Sequence, residues 1–172
     1  MKVRVVPPDP RWPAEYEAEA TLIRTALGAN VAALHHIGST AIAGIFAKPI
    51  IDMLLVVHDL HALDDCSDAM VRLGYEPKGE FGIAGRRYFR KRSSEGVRSH
   101  HVHAFRQGNA DVERHLAFRD YMNSHPPAAE SYSVLKQALA AAHPDDIEAY
   151  MDGKDAFIKE HERKALEWRR SG

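Results

Sequence analysis

The sequence predicts an α+β protein, in which a mixed sheet of the α/β kind is flanked by helices and followed by a helical C-terminal half. Three observations predict this fold. Two apolar runs, Val31 to Ile37 and Pro49 to Val57, have the aliphatic content of sheet strands and are separated by a polar turn. A glycine-containing middle region adds further strand-like segments, and from Asp111 onward the chain has helical patterning throughout.

The first third of the chain contains one more strand and two helices in this prediction. Lys2 to Val6 alternates polar and apolar residues and fits a short edge strand, closed by two prolines that cannot donate to a ladder. Between Arg11 and Leu27 apolar residues recur every three or four positions, which predicts an amphipathic helix. Leu60 to Leu73 fits a second helix, with Cys66 on its inner face as a small core residue.

Glycines divide the middle of the chain into short strand-like segments. Tyr75 to Phe81 and Arg86 to Arg92 are two of them, and the glycines between them can adopt turn conformations that strain other residues. Arg98 to Phe105 is a third segment, bracketed by further glycines. These segments complete the predicted sheet.

Three helices are predicted after the sheet. Asn109 caps the first, which runs to His125, where two prolines break it. The second runs from about Ala129 to Ala142. The last runs from Pro144 to Arg170 and is interrupted at Gly153.

Composition bounds the class of protein. The 23 basic and 24 acidic side chains nearly cancel, so bulk charge indicates neither a nucleic-acid nor a membrane partner. The one cysteine excludes an internal disulfide, and no run approaches the roughly 20 apolar residues of a spanning helix. We therefore expect a cytoplasmic protein with one domain over residues 1–172, in which a helical part, 109–172, packs on a sheet-containing core, 1–108.

The turn between the first two strands is the first candidate site. At Gly38, Ser39 and Thr40 the backbone can turn sharply and begin a short helix with a hydroxyl cap, whose N–H groups favour a phosphate. Asp52 follows in an otherwise apolar strand. Burying an unpaired carboxylate costs on the order of several kcal/mol, so we expect Asp52 at an open strand end, beside a cation or on a metal.

A histidine pair is the second candidate. His101 and His103 share one face of a strand because side chains alternate, and two imidazoles at this spacing form half of a metal site. The alternative is one exposed and one hydrogen-bonded histidine. On the first strand, alternation makes His36 the histidine that would line a pocket at the turn.

The segment HHIGSTAIAGIFAKPIIDMLLVV resembles the signature of the GrpB family (UPF0157), regarded as relatives of the nucleotidyltransferase superfamily. Gly38-Ser39 and Asp52 match the superfamily motif, but Leu54 occupies the position of its second acid, as in the GrpB pattern itself. Ala43 departs from the usual proline. The resemblance continues through GYEPKGEFGIAGRRYFRK, SHHVHAF, HLAFRDYMNSHP and YMDGKDAFIKE, and so covers nearly the whole chain.

The resemblance implies a nucleotidyltransferase-like transferase that binds a phosphate-containing nucleotide and a divalent metal, Mg²⁺, Mn²⁺ or Zn²⁺. It implies that Asp52 binds the metal together with His101 and His103, since the superfamily's third acid usually comes from a later strand. Two imidazoles suit Zn²⁺ or Mn²⁺ better than Mg²⁺, which prefers oxygen ligands. This donor set disfavours ordinary two-metal transfer.

Four basic residues are candidates for binding phosphate. Lys48 precedes a proline next to the Asp52 strand and is a candidate catalytic residue with Asp52. One of Arg86 and Arg87 should face the ligand, and we expect it to be Arg87. The family match adds Arg119 and Lys154. Alternatively, the two lysines are solvated on the surface, and the arginines of the strand are exposed charges that protect an edge of the sheet. For Arg119 the alternative is an ion pair between a helix and the sheet.

Two other functions fit the same residues. The first is a non-catalytic nucleotide-binding or accessory module that kept the pocket without the second acid. The second is a metal-dependent enzyme of another class, in which two histidines and one carboxylate act on a small polar substrate.

Overall fold

The computed structural model describes residues 2–171. Its helices are α1 (Trp12–Leu27), α2 (Leu60–Asp65), α3 (Ser67–Arg72), α4 (Ala110–Ser124), α5 (Pro126–Ala142) and α6 (Ile147–Ser171). Its strands are β1 (Val31–Ile37), β2 (Ile51–Val57), β3 (Tyr75–Pro77), β4 (Arg86–Arg92) and β5 (Arg98–Arg106). Short 3₁₀ turns follow α1 and β1, at Gly28–Asn30 and Ser39–Ala41.

The five strands form one mixed sheet in the order β1-β2-β5-β4-β3. β2 and β5 are parallel, and the other neighbouring pairs are antiparallel. The mixed α+β fold predicted from the sequence is therefore confirmed. In this order β2 and β5 lie next to each other, and Asp52 is directly opposite His101 in the register.

The two faces of the sheet bury different partners. One face packs against α1, α2 and α3, and β2 contributes Ile51, Met53, Leu55 and Val57 to that core. The other face packs against α4 through a smaller cluster that includes Leu54, Val56 and Phe105. Burying each of these side chains stabilises the fold by about 1.5–3 kcal/mol. Because strand residues alternate, Asp52 faces the same side as Leu54, toward the helical half.

Several elements differ from their predicted bounds. Lys2 to Val6 forms only an isolated bridge between Val6 and Ala47, because no further residues continue a ladder there. The predicted helix over 60–73 is split at Cys66, which ends α2 and is exposed, so its assignment to the core was wrong. The strand from Tyr75 ends at Pro77 instead of Phe81, although the N–H of Lys78 still donates to the carbonyl of Tyr88 and the N–H of Tyr88 to that of Gly79.

Two of the C-terminal helices differ from their predicted bounds, since α5 begins earlier than predicted and α6 begins later, at Ile147 instead of Pro144. Pro126 opens α5, since proline is tolerated in the first helical turn, where the N–H would lack a partner. α6 runs through Gly153 without interruption. A Cβ at that glycine would collide with the side chain of Leu139 in α5, so Gly153 allows the two helices to approach closely. No helix within residues 2–171 is long and apolar enough to cross a membrane.

Candidate functional site

A cavity of about 380 Å³ lies where the helical half meets the sheet. Residues of β2, β4 and β5 form its floor, and the loop before β4 and the first turns of α6 form its sides. Seven of the residues predicted for the site line this cavity or lie against it: Gly38, Ser39, Lys48, Asp52, His101, His103 and Lys154. We refer to it as the central cavity.

Asp52 lies at the floor of the central cavity between the two predicted histidines. Its Oδ1 is 3.4 Å from His101 Nδ1 and 3.4 Å from His103 Nε2. The side chain of Asp52 is 27% exposed, so it opens to the cavity while the sheet buries the rest. The structure thus brings together three side chains that are separated by about fifty residues in the sequence.

The two imidazoles keep Asp52 ionised. Burial alone would raise the pKa of this carboxyl, but hydrogen bonds from His101 and His103 outweigh it and hold the pKa well below its usual range. A carboxylate with a low pKa is a poor proton acceptor and a good partner for cations. The arrangement therefore favours binding and orientation by Asp52 over proton storage.

The neighbours of the histidines assign their tautomers. Arg86 Nη1 is 3.3 Å from His103 Nδ1, and because a guanidinium only donates, Nδ1 must accept. The ring proton of His103 is then on Nε2 and points to Asp52. His101 Nε2 is buried without a hydrogen-bond partner, which places its proton on Nδ1, again toward Asp52. Both imidazoles thus donate to one carboxylate oxygen.

This arrangement is not a ready-made metal site. Within residues 2–171, no group of three or more His, Cys, Asp or Glu side chains could hold a metal ion as it stands. The two 3.4 Å distances nevertheless match the separation between neighbouring ligand atoms in a tetrahedral metal site whose metal–ligand bonds are about 2.1 Å long. A metal at these three side chains would require both imidazole protons to leave and the Arg86–His103 hydrogen bond to break.

The glycine turn lies directly against the carboxylate. Gly38 has φ +74°, and a Cβ built on it would lie 2.7 Å from Asp52 Oδ2. The residues after it form a single 3₁₀ turn with no side-chain cap, so the predicted hydroxyl-capped helix is absent and provides no helix-end anion site. Ser39 lines the central cavity, whereas the Thr40 hydroxyl is 2.8 Å from His36 Nε2 and donates to the carbonyl of Ile50.

Three lysines, Lys48, Lys136 and Lys154, form what we call the lysine group. Lys48 and Lys154 line the central cavity, and their Nζ atoms lie 5.6 and 4.9 Å from the ring centroid of Tyr150. Lys136 is 1% exposed, and its Nζ has no hydrogen-bond partner and lies 4.4 Å from the ring centroid of Tyr132. No sequence pattern indicated Lys136, which occupies an ordinary helical position.

Burial and mutual repulsion destabilise the charges of the lysine group. Burial, followed by the charges of Lys154 and Lys48, lowers the pKa of Lys136 to about 7. Burial and Lys48 lower the pKa of Lys154 to about 8. Burial also lowers the pKa of Lys48. An anion bound among these amines would stabilise all three in their protonated form.

Three arginines of β4 and β5, Arg86, Arg90 and Arg98, also line the central cavity and form the arginine group. The Nε atoms of Arg90 and Arg98 are buried without hydrogen-bond partners. Across the described residues, no member of the lysine or arginine group forms an ion pair with a carboxylate. The cavity is therefore lined by five cationic side chains and one carboxylate, and the buried Lys136 is close enough to Lys48 and Lys154 for their charges to act on it.

Four residues considered for the site lie elsewhere. Arg87 faces the other side of the sheet and pairs with Asp64 of α2 through an Nε–Oδ1 distance of 2.7 Å. Arg119 donates to Asp120 and to the carbonyl of His36. His36, like Thr40, lines a second cavity beside α1. Alternation relative to Phe89, which packs in the core below the sheet, would have selected Arg86 instead of Arg87.

The chain matches known proteins along most of its length. A family model described as "GrpB protein" matches residues 2–164. The UPF0157 protein YqkA of Bacillus subtilis is 46% identical over 169 residues, which are 98% of this chain and 49% of YqkA. The chain thus spans about half the length of this relative.

Solved structures give the same assignment of the fold. The crystal structure of the conserved protein GrpB from Enterococcus faecalis is 43% identical, covers 96% of this chain and 99% of that chain, and superposes with a TM-score of 0.92. The Cid1 poly(U) polymerase, with Mg 3'-dATP bound, is 16% identical over 81% of this chain and 43% of its own, with a TM-score of 0.54. At this identity the second likeness supports a nucleotidyltransferase-like fold alone.

Proposed function

The chain belongs to the GrpB family, and from that premise we propose that it is a nucleotidyltransferase-like enzyme whose central cavity binds a phosphate-containing nucleotide. One observation carries the proposal: five cationic side chains without carboxylate partners line one cavity together with a single ionised carboxylate, and a sixth, Lys136, is buried close to two of them. A polyanion is the ligand whose charge fits this excess.

The energetics of the lysine group support a ligand with several phosphates. Unpaired buried cations destabilise a protein unless an anion compensates them. Lys48 and Lys154 open onto the cavity, and Lys136 is close enough to both for their charges to lower its pKa. A chain of two or three phosphates would interact with several of these amines at once, whereas one carboxylate would not.

The reaction that fits these residues is transfer of a nucleotidyl group. An acceptor hydroxyl oxygen forms a bond to the α-phosphorus, and the bond between the α-phosphorus and the oxygen that bridges it to the β-phosphate breaks. Pyrophosphate leaves, and the hydroxyl proton passes to water. In this proposal Lys48 and Lys154 neutralise the leaving phosphates, and Ser39 donates a hydrogen bond to them. Asp52 orients the reacting groups and, given its low pKa, does not take up the proton.

A divalent metal is a separate part of the proposal. Asp52, His101 and His103 would hold it, because their spacing matches the tetrahedral edge even though their protons point inward. When bound, the metal would neutralise charge on the transferring phosphoryl group. Zn²⁺ and Mn²⁺ fit two imidazoles and one carboxylate better than Mg²⁺.

Thermal unfolding with nucleotides tests the proposal. We expect a nucleoside triphosphate with Mg²⁺, Mn²⁺ or Zn²⁺, at a hundred times its Kd, to raise the Tm by about 5–10 °C. Lys136→Met with Lys154→Met should remove most of this rise. A matched pair on the exposed side of α6, Lys159→Met with Lys164→Met, should retain it. No rise with any of the four triphosphates across the three metals would refute the proposal.

Leu54 favours a second candidate, a nucleotide-binding module without catalysis. The side chain is fully buried and packs with Phe105, so an acid cannot replace it without loss of core packing. The two candidates differ in turnover. Release of pyrophosphate that Asp52→Asn abolishes supports the enzyme, whereas binding without turnover, unchanged in Asp52→Asn, supports the module.

Two histidines beside one carboxylate favour the metal-dependent enzyme of another class as a third candidate. Elemental analysis of protein purified without a histidine tag separates it from the first two. Stoichiometric iron or zinc together with no effect of nucleotides on the Tm would support this candidate, and absence of both metals would count against it.

A further inference from the structure

We infer that the arginine group is a second anion site of the central cavity, separate from the lysine group, and that it binds a phosphate group on a second substrate. The inference rests on the proposed function only in assigning the lysine group to the nucleotide. It deepens that function by naming the chemical class of the acceptor, a small phosphate ester.

The topology of the sheet separates the two cationic groups. Arg86 and Arg90 belong to β4, whereas Lys48 immediately precedes β2 and the other lysines come from α5 and α6. β5 lies between β2 and β4 and carries the histidines that contact Asp52. Since neighbouring strands are about 4.8 Å apart, β4 is about 10 Å from β2. The two groups therefore start from different parts of the cavity floor, and they adjoin where Lys48 and Arg98 are close enough for their charges to interact.

The arginine group has donors that nothing in the described protein uses. Arg90 and Arg98 come from adjacent antiparallel strands, and each has a buried Nε without a hydrogen-bond partner. Burial, followed by the charge of Arg90, lowers the pKa of Arg98. An oxyanion between the two guanidinium groups would satisfy the Nε donors and screen this repulsion. Two planar guanidinium groups suit a doubly charged phosphate better than a single carboxylate.

Aromatic rings hold two members of the arginine group, Arg86 and Arg90, in place before any ligand binds. Arg90 Cζ lies 5.2 Å from the ring centroid of Phe81 and 6.0 Å from that of Tyr88. Arg86 Cζ lies 4.8 Å from the Tyr88 centroid. Side chains fixed in this way lose little conformational entropy when they bind an anion.

The backbone at Phe81 is strained, and Arg86 maintains the strain. Phe81 has φ 48°, a left-handed conformation that is rare for a bulky residue, and its side chain is 54% exposed at the cavity. Arg86 Nη2 donates to the carbonyl of Phe81 at 2.9 Å, and Nε donates to that of Glu80 at 3.2 Å. The ring is thereby held next to Arg90, where it offers an apolar surface to the organic part of a phosphate ester.

Calorimetric titration with inorganic phosphate tests the inference. The test protein is the full chain saturated with a non-hydrolysable nucleoside triphosphate, which occupies the lysine group. We expect one phosphate to bind, and Arg90→Gln with Arg98→Gln to weaken its binding by about tenfold or more. Arg92→Gln with Arg106→Gln removes the same charge from exposed positions of the same two strands and should leave binding unchanged. Nucleotide affinity should be equal in all three proteins.

Two results would overturn the inference: saturated protein that binds no phosphate, or a fall in nucleotide affinity in the Arg90/Arg98 variant. If that double variant does not fold, Arg98→Gln alone and Arg90→Lys with Arg98→Lys take its place. Each should weaken phosphate binding, because the lysine pair keeps the charge but loses the planar donors, and unchanged binding in both would again overturn the inference.

Failure of the proposed function can be told apart from failure of this inference. If no nucleotide binds, inorganic phosphate is titrated into the free protein. Binding that the Arg90/Arg98 variant loses, and that Lys136→Met with Lys154→Met retains, supports the arginine site without the nucleotide. Binding that only the lysine variant loses overturns it.

Discussion

Asp52 illustrates how much a single position depends on its immediate neighbours. Two imidazole donors keep the carboxylate ionised, and the absence of a side chain at Gly38 gives it room. Both conditions come from residues that the chain brings together through the pairing of β1, β2 and β5.

Gly38→Ala should destabilise the fold and disturb Asp52. The new Cβ would collide with the carboxylate, and the alanine would be held at φ +74°, which is strained for any residue with a Cβ. Gly44→Ala is a matched control, because Gly44 has φ +75° and open space around it. We expect Gly38→Ala to lower the free energy of unfolding by about 1–3 kcal/mol more than Gly44→Ala, measured by urea denaturation. Equal losses would show that the contact with Asp52 is unimportant.

Arg86→Met should increase affinity for Zn²⁺. Arg86 donates to His103 Nδ1 and so holds the imidazole proton on the nitrogen that a metal would need. Its removal frees the other tautomer and removes a positive charge, and we expect roughly tenfold tighter binding in calorimetric titration. Arg92→Met, on the same strand but exposed, is the control. Weaker Zn²⁺ binding in Arg86→Met would contradict the tautomer assignment.

At the scale of elements, α5 and α6 matter because they bury lysines beside the sheet. Lys136 and Lys154 come from successive helices that pack closely at Gly153, and Lys48 approaches them from the segment before β2. Neither helix carries an acid that pairs with these amines in the described structure. The helices therefore hold charges that a bound anion would stabilise.

Lys136 should make stability depend on pH. Its pKa is about 7 in the folded protein and about 10.5 when unfolded, so the unfolded state binds more protons between these values. The loss of stability caused by burying the charged amine is complete below pH 7, and it decreases as the pH rises toward 10.5. Lys154, with a pKa of about 8, contributes a further increase in stability as the pH rises above 8.

Urea denaturation at pH 7, 8 and 9 measures this effect. We expect the free energy of unfolding of the unsubstituted protein, relative to Lys136→Met, to rise by up to about 1.4 kcal/mol per pH unit. The same difference taken relative to Lys159→Met, an exposed position paired with Asp155, should not change with pH, because that variant retains Lys136. A difference between the protein and Lys136→Met that does not change with pH would contradict a buried, unpaired amine.

At the scale of the whole molecule, charge is distributed very unevenly. The chain has a formal net charge of −1, yet five cations and one carboxylate line its central cavity. Composition alone therefore did not reveal this local excess of positive charge. The cavity is also formed jointly by the sheet and the helical half, so ligand binding should stabilise both together.

Polyanions should raise the Tm in order of their charge. We expect inorganic tripolyphosphate to raise it more than pyrophosphate, and pyrophosphate more than phosphate, each at the same concentration and ionic strength. The differences in Tm between the three anions should become smaller in Lys136→Met with Lys154→Met. Equal effects of the three anions would indicate general screening instead of a site for a phosphate chain.

The sequence predicted the sheet and much of the site because strand alternation is a local property. It placed Asp52, His101 and His103 on defined strand faces, and the resemblance of the Gly38-Ser39 turn to a known signature indicated the family. Metal binding and nucleotide binding stay predictions. Alternation could not choose between Arg86 and Arg87, because either face of an isolated strand can point to the core.

The sequence by itself therefore determined the family, the strands and the presence of one acid in an apolar strand. Only the tertiary structure decided which cations surround that acid, because Lys48, the β4–β5 pair that carries Arg90 and Arg98, and Lys136 of α5 are far apart in the chain. Burial, pKa and the absence of a partner are properties of the packed environment. They arise only when the helical half closes on the sheet, and no local pattern encodes them.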